Sequence, residues 1–143
     1  MAVNPVADQD LITAYFNAQL AQTVYDDGVP DPADMTWTNN ALPPYVVIEY
    51  GMPVGATAGR SIAGEEKQPT VQRVGLSVVS SSGKFARQVG GKIADVGVGF
   101  EASANVGPLR LLGGSTFTVQ VDSRPTVYVS QVHFTYSSNM TDS

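Results

Sequence analysis

The chain contains one histidine, His133, and no cysteine. Nucleophilic or acid–base chemistry would therefore rest on that imidazole, on hydroxyls or on carboxylates. Asp122 and Ser130 stand near His133, so a Ser-His-Asp set can be written down. The strand–turn–helix elbow that presents a nucleophile is missing, and a strand histidine facing solvent or an interface accounts for His133 better. Glu49 sits in an apolar run, either as a general acid or as the partner of Arg73 on the following strand. Asp26, Asp27, Asp31 and Asp34 offer the hard oxygens calcium prefers, but not at the spacing of a calcium loop. A solvated acidic loop is the simpler reading. Gly97-Val98-Gly99-Phe100-Glu101-Ala102 spells a dinucleotide fingerprint, yet it follows a helical pattern rather than a strand. Glycines that end a helix explain it. Gly91-Lys92 has Ala86 and Ile93 where a phosphate loop requires Gly and Ser or Thr. No catalytic, cofactor-binding or metal site is expected.

The elements that carry these residues follow from hydrophobic spacing. Ile12, Phe16, Leu20 and Val24 form an i, i+4 row behind Asp8, a candidate N-cap, which predicts a helix ending near Asp26-Asp27-Gly28. Asp26 and Asp27 would then oppose the helix dipole, and a cation or an arginine from a neighbouring subunit would relieve them. Four prolines break regularity between Gly28 and Pro44, with Trp37 expected to fold onto the core. Tyr45 to Tyr50 reads as a buried strand, and Thr70 to Ser80 as a second with Val74, Leu76 and Val78 on one face. Between them, residues 52–68 read as a long flexible loop or a splayed hairpin tip, and loops this long tend to be functional. Its charges, Arg60, Glu65, Glu66 and Lys67, join Asp26 and Asp27 as candidate assembly contacts. Arginine in particular suits interfaces, where its planar fork pairs with carboxylates.

Phe85, Val89, Ile93 and Val96 predict a second helix over 84–97, with Gly90 and Gly91 inside it. Thr116 to Asp122 alternates strictly, placing Phe117, Val119 and Val121 on one face. Thr126 to Tyr136 changes phase: Val127 and Val129 are odd, whereas Val132, Phe134 and Tyr136 are even. That predicts a β-bulge near Ser130-Gln131. The order is helix, strand, strand, helix, strand, strand. It implies an α+β domain over residues 1–137, with a small, mostly antiparallel sheet flanked by two helices, and a frayed tail over 138–143.

The 143 residues suffice for one real core without staples. Neither a signal peptide nor an apolar run approaching the ~20 residues of a membrane span is read. The net charge is −5, unevenly spread. Residues 1–50 hold seven acids and no Lys or Arg (net −7), whereas residues 51–143 hold six acids and all eight basic residues (net +2). An acidic chain repels nucleic-acid phosphates at long range, and two faces of unlike charge suit head-to-tail stacking.

Several features stand in a fixed order: a short N-terminal helix, the strand Tyr45-Val46-Val47-Ile48-Glu49-Tyr50-Gly51, a Gly-rich insertion and a long strand at 70–80. A helix at 84–97, a Gly113-Gly114 turn into a strand, and a last strand ending His133-Phe134-Thr135-Tyr136 complete it. This order resembles the tail terminator proteins of long-tailed bacteriophages, particularly those of actinobacterial phages, over nearly the whole chain. The resemblance implies a virion protein assembled in the host cytoplasm and a fold shared with tail-tube subunits. It also implies a homo-hexameric ring on the last ring of tail-tube protein, which stops tube polymerisation and presents a surface to a head-tail connector or stopper protein. DNA would meet the chain only in transit through the ring. A neck stopper or completion protein, or a tail-tube subunit, would have similar composition. A peptide- or carbohydrate-binding module built on Trp37, Tyr45 and Tyr50 is the alternative of another class.

Overall fold

The computed structural model describes residues 5–26, 29–32, 35–38, 41–51, 54–55, 67–104, 106–120 and 125–141. Helix α1 (Pro5–Gln19) and helix α2 (Gly83–Gly97) accompany six strands. These are β1 (Val24–Tyr25), β2 (Tyr45–Tyr50), β3 (Val54–Gly55), β4 (Lys67–Ser80), β5 (Arg110–Val119) and β6 (Val127–Thr141). The sheet order is β1-β2-β4-β6-β5, with β3 pairing to β4 beyond the end of β2. All pairings are antiparallel except β1 with β2. The α+β class expected from the sequence is what the chain adopts.

Both faces of the sheet carry a core, and strand alternation decides which residue enters which. On the helix-covered face, Val46, Ile48, Val74, Leu76, Val78, Val132, Phe134 and Tyr136 meet Ile12 and Phe16 of α1 and Ala86, Val89 and Ile93 of α2. On the opposite face, Tyr45, Val47, Val79, Val127 and Val129 form a smaller core with Leu42, against which Tyr25, Met35 and Trp37 pack. Trp37 thus folds onto the protein as expected, and its indole Nε1 donates to the Pro32 carbonyl at 2.9 Å.

This two-sided burial corrects the expected bulge in the last strand. The ladder between β4 and β6 runs without a register shift from Lys67↔Thr141 to Ser80↔Tyr128. The apolar phase of β6 changes because its first residues feed the small core and its later ones the large core. The irregularity lies instead in β5, between Leu111 and Gly113. Gly113-Gly114 is therefore inside a strand, where the sequence suggested a turn before one. Gly114 permits a close crossing, since a Cβ there would run into the Gln131 carbonyl of β6. β6 also continues to Thr141, taking in residues 138–141 that read as a frayed tail.

Helix α1 differs from expectation at both ends. It starts at Pro5, a residue suited to a first helical position, so Asp8 lies in the first turn rather than at the N-cap. It stops at Gln19, because Val24 and Tyr25 pair with Val46 and Val47. Leu20 and Val24 stay buried all the same. The Tyr50 hydroxyl lies 2.7 Å from Thr13 Oγ1 and donates to the Gln9 carbonyl at 2.8 Å, which ties α1 to β2. The Tyr15 hydroxyl donates to the Val96 carbonyl at 2.6 Å, and its ring stacks on Phe100 at 3.8 Å, tying α1 to α2. Helix α2 occupies its expected range, and Ser82 caps it by accepting from the Phe85 N–H at 3.2 Å.

Candidate assembly surface

The chemistry-bearing residues do not converge. Ser130 is buried toward α2, where a Cβ on Gly90 would come within 2.9 Å of its Oγ. His133, three residues along the same strand, projects from the opposite face and lies against Gly75. Serine and histidine on opposite faces of one strand cannot share a proton, and Asp122 lies outside the described residues. Glu49, read from its apolar run as buried, is exposed, because the last residues of β2 extend past the small core. The Gly97–Ala102 motif ends α2, and Gly99 adopts φ +89°. Among the described residues no group of three or more His, Asp or Glu is placed to hold a metal ion.

The aromatic patch of a binding module is not formed either. Tyr45 and Trp37 belong to the small core, whereas Tyr50 packs against the large core on the other side of the sheet. Burial raises the Tyr45 phenol above its ordinary value, with Asp31 and Tyr25 adding to it. Burial likewise raises Tyr50 and pushes Tyr136 up to about 12, the latter with help from the Asp8 charge. The Tyr136 hydroxyl donates to Gln72 Oε1 at 3.2 Å, so this phenol is held neutral inside the fold. A depression of about 240 Å³ is lined by Val71, Arg110, Thr135, Tyr136 and Ser137. It is smaller than the roughly 300–1,000 Å³ of ordinary ligand pockets.

Of the six assembly contacts named from sequence, Asp27, Arg60, Glu65 and Glu66 lie outside the described residues. Asp26 is exposed immediately after β1, seven residues beyond the end of α1, so it does not oppose the helix dipole. Lys67 opens β4 opposite Thr141. Tyr25 is level with Ser77 through Val47, and Lys67 lies ten residues further along β4, roughly 33 Å away at about 3.3 Å per residue. Asp26 and Lys67 therefore lie far apart on one subunit.

A surface that the sequence reading missed is the outer edge of β5. Among the described residues β5 has β6 on one side and no strand on the other. Leu111 (51%), Leu112 (59%), Phe117 (43%) and Val119 (39%) are all substantially exposed. Phe117 and Val119 pair with Val129 and Val127, so they carry the small core past its cover of Met35, Trp37 and Leu42 into solvent. Alternation in the sequence marked Phe117 and Val119 as a face to be buried, but nothing in the pattern said that their own chain leaves them open.

Among the described residues the fold is thus a two-layer α+β domain with a long, apolar, open edge at β5. No protein-family model and no curated protein matches the chain. Among solved structures it is similar to a chain in the virion of a native gene transfer agent (GTA) particle, with 18% identity and a TM-score of 0.52. The match covers 99% of this chain and 96% of that one. At that identity the likeness is one of fold.

Proposed function

We propose that this chain is a structural subunit of a phage-type virion that works by assembly and carries out no catalysis. The observation that carries this reading is the open β5 edge, with four exposed large apolar side chains, on a fold shared over almost its full length with a chain of an assembled virion particle. Long apolar edge strands invite pairing with another chain, and proteins that remain monomeric blunt them. The finer form of the proposal is a tail terminator. Six copies close a ring on the end of the tail tube, end its polymerisation and offer the other face to a head-side connector, with DNA passing through the centre. Arg60, Glu65, Glu66, Lys67, Asp26 and Asp27 contribute subunit contacts in that arrangement. The net charge of −5 suits a conduit that must not hold passing phosphates.

Native mass spectrometry and negative-stain imaging over a concentration series test the proposal. Closed six-membered rings are expected. Open filaments would make the chain a tube subunit instead, and a strict monomer at the highest concentration would remove the assembly reading.

A further inference from the structure

We propose that the outer edge of β5 docks against the β1–β2 end of the sheet in a second copy of this chain, so that subunits join head to tail. The inference rests on the assembly reading above and assigns the surfaces that carry it.

The two ends of the sheet differ in a way that suits each other. β5 offers ten residues of edge backbone with one charged residue, Arg110, and no proline. Its one charge and its irregularity between Leu111 and Gly113 both lie in its first half, so residues 114–119 form a regular edge without the charges, prolines or bulges by which natural edge strands avoid pairing. At the other end, β1 is two residues long and covers Val46 and Val47 of β2. Among the described residues, no strand lies beyond Ile48, Glu49 and Tyr50 on that side. Ile48 is only 1% exposed, so the backbone open to pairing lies on β5, and the β1–β2 end meets it through its exposed side chains.

The charges separate along the same axis. The sequence places its acids early, and the sheet order places the early elements at one end. Asp10, Asp26, Asp31 and Glu49 are exposed on α1, β1, β2 and their connections, with no Lys or Arg among residues 1–50. Toward the β5 end, α2, β5 and the connection between them expose Lys84, Arg87, Lys92 and Arg110 against Asp95 and Glu101. A second copy in the same orientation brings its acidic end to the basic end of the first, and opposite potentials select that encounter. A symmetric β5–β5 pairing would instead face two ends of the same sign. Apolar surface is available on both sides, since Val29, just beyond β1, is 48% exposed and can cover part of the β5 row. Two different surfaces meeting in this way generate a closed ring when the rotation between copies closes.

The test uses the full chain. Leu112→Lys with Phe117→Lys places two charges on the edge at sites already more than two-fifths exposed. Far-UV circular dichroism and Trp37 emission check that the subunit still folds. The double variant is expected to raise the concentration needed for assembly at least tenfold. Arg110→Glu alone and Asp26→Lys with Glu49→Lys alone should each weaken assembly. All three reversals in one chain should recover assembly, because the reversed residues at one end again face residues of opposite sign at the other. Rings that form undiminished in the folded double-lysine variant would overturn the β5 docking and leave the ring reading standing. Reversals that weaken assembly singly but give no recovery together would also overturn it, as would a two-fold dimer through β5. A wild-type chain that never assembles would remove the assembly reading itself.

Discussion

Two glycines of α2 should respond to the same substitution with opposite signs. A Cβ added to Gly91 meets nothing within 4 Å. Gly91→Ala therefore restricts the unfolded chain at no steric cost and should gain about 0.5–1 kcal/mol. A Cβ on Gly97 would lie 2.6 Å from Phe134 Cζ and 2.9 Å from both Phe134 Cε1 and Phe16 Cζ. Both rings are 0% exposed, so neither can swing into solvent. Overpacking of this kind costs about 1–3 kcal/mol, and in the last turn of a helix the propensity gain offsets little of it. Gly97→Ala should lose about 1–2 kcal/mol. For a chain of this length that corresponds to a Tm about 3–6 °C lower, against about 2–3 °C higher for Gly91→Ala. Urea and thermal unfolding at one fixed protein concentration, followed by Trp37 fluorescence and far-UV circular dichroism, measure both. The two probes report the small core and the helices respectively, and coincident transitions justify a two-state treatment. A Gly97→Ala protein as stable as wild type would refute the close junction of α1, α2 and β6 at this point.

Two further outcomes follow from the same geometry. Ser82→Ala removes the oxygen that accepts the Phe85 N–H, so unfolding of α2 and of the whole domain should become easier by about 1 kcal/mol, read from the urea midpoint. The raised phenols of Tyr45, Tyr50 and Tyr136 favour the neutral form in the folded state, so their contribution is fully present below pH 10 and is lost as pH rises from 10 toward 12. The unfolded chain ionises first in that window, and each phenol then weakens folding by up to about 1.4 kcal/mol per pH unit; a urea midpoint equal at pH 9 and pH 11 would contradict this.

What was legible in the sequence was what depends on one period and one face. The row Ile12, Phe16, Leu20, Val24 is buried throughout, and so are Val74, Leu76 and Val78. The helix boundary was not legible, because Val24 satisfies an i, i+4 pattern and a two-residue strand equally well, and the choice is made by Val46 and Val47 far along the chain. The phase change in β6 looked like an inserted residue, since alternation alone assumes that one face is buried. In the structure both faces are buried, at different stretches of the strand, and the ladder needs no bulge. The β5 surface was not legible for a related reason: composition flags charges, whereas this open surface is made by where β5 ends up in the sheet order.

That surface also has an energetic consequence for how assembly proceeds. Fully burying a large apolar side chain is worth about 1.5–3 kcal/mol, so four side chains that are roughly half exposed offer about 3–6 kcal/mol in all. Bringing two free subunits together costs an estimated 4–15 kcal/mol in lost translational and rotational freedom. One β5 contact is therefore close to break-even, even with edge hydrogen bonds and complementary charge added. A ring changes the balance. The contact that closes it joins ends already held near each other, so it is made at a high effective concentration without a further bimolecular step. Under the head-to-tail arrangement, dimers and other open intermediates should be scarce in native spectra beside monomer and closed ring. Raising the salt concentration should deplete the ring, because the charge complementarity between exposed ends is screened. A ladder of abundant intermediates would mean that each contact is strong by itself, and would point to a surface larger than the β5 edge.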